Sequence, residues 1–364
     1  MNPRHFQLNM KWSLIFPFIL FLVGFASGCT SATGPPTPRL LDTWLVYRQT
    51  PGRLINNYAN AFLLDNGRKI WIATNDGVSS FSAGVWASMR DSLWSPSPSG
   101  KSHRVSCIVQ GKDGGLWFGL TGGGVVRYNP FSTIQVWRRY NYPDLLNDFI
   151  LAGAADVSNQ SNYGEVWFTS VSGVNRFVGG ASESGTWYSY TTGPPANLPS
   201  NQIPACINKL DDNTIWFGTQ TGGAVMVNYG LAGLEWSKHP LSPDSRINSV
   251  SFDLHNTVWF GVQQGAVTFN LQTSVWTTYP PDTAGIKLPA GPVNAVVTNL
   301  QKVRWFGTNA GVVRLDDTTW TRFTTANSPL PGDSVNALLF DYNQNLWVGT
   351  TNGVAVYNAA GIQF

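Results

Sequence analysis

The sequence predicts an all-β protein, a seven-bladed β-propeller of four-stranded antiparallel blades. Its ring is closed by an N-terminal strand over residues 42–50, which completes the last blade. Three observations predict it. A pattern of tryptophan-bearing strand, glycine turn and apolar strand is written seven times, from "KIWIATNDGVSSFS" (69–82) to "NLWVGTTNGVAVYN" (345–358). Its tryptophans, Trp71, Trp117, Trp167, Trp216, Trp259, Trp305 and Trp347, stand 42 to 50 residues apart, the period of a four-stranded blade. The composition, with 37 Gly, 22 Pro and 13% aromatic against 12% charged residues, suits short strands and tight turns rather than helices.

Taken in order, residues 1–28 read as a signal peptide. Arg4 and Lys11 precede the apolar run "WSLIFPFILFLVGFA" (12–26), which is short for a membrane-spanning helix. The stretch "ASGC" (26–29) resembles a bacterial lipobox, with Ala26 where Leu is commonest. That resemblance implies lipidation of Cys29 and a membrane anchor; a plain signal peptide or an uncleaved anchor is the competing reading. Residues 29–40 then form a Thr/Pro/Gly tether without apolar periodicity. Residues 41–364 hold the propeller.

Within a repeat, taking the last as the example, "SVNALLF" (334–340) is the inner strand, "DYNQN" (341–345) a turn, and "LWVGT" (346–350) the second strand. "TNG" (351–353) turns the chain into the third strand "VAVYN" (354–358). A glycine recurs six residues after each tryptophan, where positive φ is expected: Gly77, Gly123, Gly173, Gly222, Gly265, Gly311 and Gly353. The fourth strand carries a second tryptophan at 86, 137, 187, 236, 276 and 320. The last repeat lacks that strand, and "DTWLVYRQT" (42–50) supplies one with Trp44 and Tyr47 at the same spacing, which removes an exposed sheet edge. Fourteen of the sixteen tryptophans are thus assigned to the frame. Trp12 lies in the signal segment, and Trp94 is left over.

The net charge of +3 falls to about +1 without residues 1–28, and no basic run exists, so nucleic acid is not expected as a partner. Besides Cys29, only Cys107 and Cys206 remain, in apolar strands of repeats two and four, and two buried free thiols are expected. No His or Cys pair has metal-ligand spacing, and no hydrolase motif or P-loop occurs. No cofactor or metal is expected.

The repeat "V-x-A-L…D…LW-x-GT…G-V-x-x-Y", followed by "W…Y" and a loop such as "NSPLPGDSV" (327–335), resembles the two-component regulator propeller repeat. In that family the repeats often form extracytoplasmic sensor regions of hybrid histidine kinases, several of which respond to complex carbohydrates. This sequence has one ring where such sensors typically carry two, with no kinase or DNA-binding domain behind it. The resemblance therefore implies a ligand- or partner-binding ring outside the cytoplasm, in the periplasm or at the cell surface, and transfers no functional residues.

Propellers usually bind at one mouth of the central channel, where the loops entering the inner strands converge. Those loops carry Asn57 and Tyr58, His103 and Arg104, Asp148 and Phe149, Asn201 and Gln202, Ser245 and Arg246, Gly291 and Pro292, and Asp333 and Ser334. Among these, Asn57, Tyr58, His103, Arg104, Asp148, Asn201, Gln202, Arg246 and Asp333 are candidate ligand residues. Arg forks suit carboxylates or sulfates, and Asp with Asn suits sugar hydroxyls. Solvated loop charges are the plainer alternative. Trp94, on the long loop "RDSLWSPSPSGKSHRV" (90–105), is a further candidate, either a ligand platform or a plug between blades. The expected function is non-catalytic binding of a glycan or an envelope protein by a monomeric ring. One alternative is a metal-dependent enzyme similar to virginiamycin B lyase, in which His103 would be the single mouth histidine. The other is a scaffold in an envelope complex.

Overall fold

The computed structural model describes residues 43–90, 103–129, 137–156, 165–179, 185–209, 214–230, 233–241, 245–253, 256–282 and 287–364. Strand β1 (Trp44–Tyr47) comes first, and four strands per blade follow. Blade one is β2 (Ala59–Leu64), β3 (Ile70–Thr74), β4 (Gly77–Ser82) and β5 (Val85–Met89); blade two is β6 (Val105–Gln110), β7 (Leu116–Leu120), β8 (Gly124–Tyr128) and β9 (Trp137–Tyr140). Blade three is β10 (Ile150–Asp156), β11 (Glu165–Ser170), β12 (Gly173–Gly179) and β13 (Gly185–Tyr190); blade four is β14 (Ala205–Lys209), β15 (Thr214–Gly218), β16 (Ala224–Gly230) and β17 (Gly233–His239). Blade five is β18 (Ile247–Phe252), β19 (Thr257–Val262), β20 (Ala266–Asn270) and β21 (Trp276–Tyr279); blade six is β22 (Val293–Thr298), β23 (Arg304–Thr308), β24 (Gly311–Asp316) and β25 (Thr319–Phe323). The chain ends with β26 (Val335–Phe340), β27 (Leu346–Thr350) and β28 (Gly353–Tyr357).

Each blade is an antiparallel sheet in sequence order, and the seventh has the order β1-β28-β27-β26. Trp44 pairs with Tyr357 and Tyr47 with Val354, so the N-terminal strand closes the ring as the repeat pattern predicts.

The tryptophans explain why blades form and why they pack. Those of the second strands are buried, from Trp71 at 6% exposure to Trp167, Trp216 and Trp347 at 0%. Each rests on an aromatic of the next blade: Trp71 on Phe118, Trp167 on Phe217, Trp259 on Phe306, and Trp347 on Phe62 across the closure. Burying such a side chain contributes about 4–6 kcal/mol before conformational entropy is charged against it. The outer-strand tryptophans are half-buried. The core is accordingly seven apolar clusters, one at each blade junction.

The turn glycine needs one correction. In blade two the positive-φ glycine opening the third strand is Gly124 (φ 71°), not Gly123, because the turn there is one residue longer; in blade four Gly222 has the expected positive φ (86°), and Gly223 beside it (φ 98°) is the one that faces the outer-strand carbonyl of His239. The reason for glycine is the same throughout. At Gly353 (φ 129°) a Cβ would lie 2.7 Å from the Tyr47 carbonyl oxygen at the end of the outer strand.

Inner strands begin with a bulge in six blades, between Ala59 and Ala61, Val105 and Cys107, Ile150 and Ala152, Ile247 and Ser249, Val293 and Ala295, and Val335 and Ala337. The skipped residue leaves the ladder, and its side chain is free to reach sideways. Asn336 Nδ2 thus donates to the Ala59 carbonyl of blade one at 3.0 Å, and Asn294 Nδ2 to Val335 of blade seven at 2.9 Å. Cys107 is buried and Cys206 partly so, both as free thiols. Burial pushes both thiols up, that of Cys107 to about 12.

Candidate functional site at the channel mouth

The mouth is built from the loops entering the inner strands and the turns between second and third strands. The loop residues predicted as ligand contacts divide into two groups. In the first, a side-chain oxygen accepts the N–H two residues past the outer strand. Asn57 takes Gln49 N–H at 2.6 Å, Asp148 takes Tyr142 at 2.8 Å, Asn201 takes Thr192 at 2.8 Å, and Asp333 takes Thr325 at 2.7 Å. Asn and Asp recur there because their short side chains fold back onto the loop backbone. One shared contact therefore accounts for residue types that the sequence presents as varied.

The second group projects at the rim. Arg104, Gln202 and Arg246 are exposed and Tyr58 is half-buried. The Arg104 guanidinium carbon lies 5.9 Å from the centre of the Tyr58 ring, within reach of a cation–π contact. Phe149, which the sequence marks only as the neighbour of Asp148, is 51% exposed. Its ring lies against Gly122, where a Cβ would meet it at 3.4 Å. Exposed Tyr142 and Val171 belong to the same blade-three corner. The mouth of blades one to three is thus an aromatic, cation, aromatic series: Tyr58, Arg104, Phe149. Aligning the repeats could have found Phe149, since it is a large, wholly apolar residue where the other blades carry polar or small ones.

His103 departs from both groups. Its carbonyl accepts Gly77 N–H at 3.1 Å, and its Nδ1 lies 3.6 Å from Asp76 Oδ1. Arg90 holds the same carboxylate oxygen at 2.6 Å. Among the described residues no three His, Cys, Asp or Glu side chains gather as a metal site. Trp94 and Cys29 lie outside the described residues.

Two grooves lie on the opposite face, flanking the last blade. One, of about 280 Å³, is lined by Arg68, Phe81, Tyr342, Asn343, Trp347 and Phe364. The other, of about 460 Å³, is lined by Trp305, Arg314, Asp316, Gln344, Tyr357 and Asn358 among others.

Residues 99–122 and 329–352 match the family described as two component regulator propeller. Both stretches are propeller repeats of that kind. The second spans the loop into β26 and runs through β27, so the repeat signature coincides with the mouth loop and the tryptophan strand. No curated protein matches the chain. Among solved structures, the extracellular domain of a one-component system from B. thetaiotaomicron is 19% identical over 87% of this chain and 40% of its own, with a TM-score of 0.65. This repeat chain therefore spans about two fifths of that structure. PorZ of Porphyromonas gingivalis, a surface component of the type-IX secretion system, is 16% identical over 83% of this chain and 46% of its own, with a TM-score of 0.63. Virginiamycin B lyase of Staphylococcus aureus is 14% identical over 86% of this chain and 98% of its own, with a TM-score of 0.60. At these identities the likeness is one of fold.

Proposed function

We propose that the protein is an extracytoplasmic binding module, anchored through a lipidated Cys29, whose channel mouth recognises a glycan bearing acidic groups. The observation that carries this reading is the Tyr58, Arg104 and Phe149 series, followed around the rim by Gln202 and Arg246. Aromatic faces suit the CH faces of pyranose rings, and guanidinium groups suit carboxylate or sulfate at the ring edge. Trp94, outside the described residues, remains a candidate platform. The repeat family and the extracellular B. thetaiotaomicron and surface-located P. gingivalis relatives support a location outside the cytoplasm.

The test is a thermal-shift and tryptophan-fluorescence screen of the purified protein against neutral, uronate-bearing and sulfated oligosaccharides. A saturable rise in Tm with acidic glycans, lost in Phe149→Ala and Arg104→Ala, is expected. No response to any glycan, together with capture of a specific envelope protein, would replace the glycan with a protein partner. Metal-dependent turnover of a substrate, abolished by His103→Ala, would favour a lyase instead.

A further inference from the structure

The seven blade junctions are fastened in two different ways. At five of them the bulged residue of one inner strand donates its side-chain hydrogen to the carbonyl opening the next. Asn60 reaches Val105 at 2.9 Å, Ser106 reaches Ile150 at 2.7 Å, and Asn248 reaches Val293 at 3.4 Å. Asn294 and Asn336 complete the set. The same five junctions carry a second bond, from the turn glycine to the loop of the next blade: Gly77 to His103, Gly124 to Asp148, Gly265 to Gly291, Gly311 to Asp333 and Gly353 to Asn57.

Among the described residues, blade four has neither bond on either side. The residues at the latch position are Leu151 in blade three and Pro204 in blade four, and neither side chain can donate a hydrogen bond. Blade four is also the one whose inner strand has no bulge. Its mouth junctions are instead held by one backbone bond each, running the other way: Ile203 N–H to Ser170 at 3.4 Å, and Ile247 N–H to Thr219 at 3.1 Å.

The two sides of blade four differ away from the mouth. Toward blade three a brace spans the junction: Trp167 Nε1 donates to Tyr229 Oη at 2.7 Å, Tyr229 Oη donates to Glu165 at 2.8 Å, and Arg176 Nε donates to the same carboxylate at 2.6 Å. Toward blade five the contact away from the mouth is between rings: Trp216 packs on Phe260 and His239 on Phe269.

We infer that blade four is the movable sector of the ring, turning about the Glu165–Tyr229 brace and parting from blade five at the mouth. Such a motion changes the spacing between Phe149 of blade three, Gln202 of blade four and Arg246 of blade five, and so sets the mouth's width. It goes beyond the identity of the ligand and holds with the mouth empty.

Hydrogen–deuterium exchange on the full-length chain in detergent tests it. Backbone amides of β14–β17 are expected to exchange about tenfold or more faster than those of β22–β25, because fewer bonds must break to open them. Leu151→Asn and Pro204→Asn, each supplying a side-chain donor at the vacant latch position, are expected to slow that exchange. Equal protection in all seven blades overturns the inference, as does fast exchange in blade four that neither substitution slows. The wild-type comparison decides even if a variant fails to fold.

Discussion

Gly353 shows how tightly single positions are specified. Its φ of 129° and the Tyr47 carbonyl 2.7 Å from where a Cβ would stand leave no room for a side chain. Gly353→Ala should cost about 2 kcal/mol or more, read as a lower denaturation midpoint by urea titration. His239 gives a pH dependence. Burial lowers its pKa, with its ring against Trp216 and Phe269, so the folded state favours the neutral imidazole. Stability from this group is therefore full above pH about 6.5 and is lost as pH falls through the lower folded value. Tm measured from pH 7 down to pH 5 should fall, and His239→Phe should flatten the fall. At this scale the sequence was legible where one residue type repeats, as with the tryptophans. It was less legible at Asn57, Asp148, Asn201 and Asp333. Their common backbone contact is hidden because Asn and Asp also serve as ligand residues, and only the folded loop reveals which N–H each one meets.

Among the elements, the inner strand does more than line the channel. Its bulge lifts one side chain out of the ladder and hands it to the next blade. Asn294→Ala removes the bond to Val335 and one to Asn309 at 2.8 Å, and should lower stability by about 1–2 kcal/mol, again by urea titration. The milder Asn294→Ser should lose less, since a serine hydroxyl at position 106 already serves blade two in this way. The strand order and the closing strand followed from the spacing of tryptophans and glycines alone. The bulge did not: it breaks the alternation, so that Ala337 and Leu338 are both buried, but a strand covered on both faces carries consecutive apolar residues anyway and the break does not stand out. The longer turns that set Gly124 and Gly223 against the outer strand escaped because each is preceded by another glycine, so the pattern reads equally well in either register.

Across the whole molecule, the mouth combines loops from all seven blades, and this is where sequence reading loses force. Each repeat announces its own strands, but which rim side chains project is decided by neighbours some 45 residues away. Tyr58 and Arg104 come together only through ring packing. A prediction at this scale concerns the last joint. Deleting residues 43–48 removes β1 and bares the β28 edge, and the protein should then form soluble oligomers or aggregates, detectable by size-exclusion chromatography.

The closing strand also sets an order in time. β1 is among the first parts of the propeller to be synthesised, yet its partner β28 is the last. The final latch, Asn336 to Ala59, joins residues 277 apart in the chain. Blades can form locally as they are made, but the ring cannot shut until β28 has left the ribosome, and until then the aromatic faces of blades one and seven stand open. Long-range closure of this kind is slow, because the loop entropy must be met before the contact forms. A circular permutant carrying β1 after Phe364 would turn that joint into a local hairpin-like pairing. It should close sooner while keeping the same seven blades.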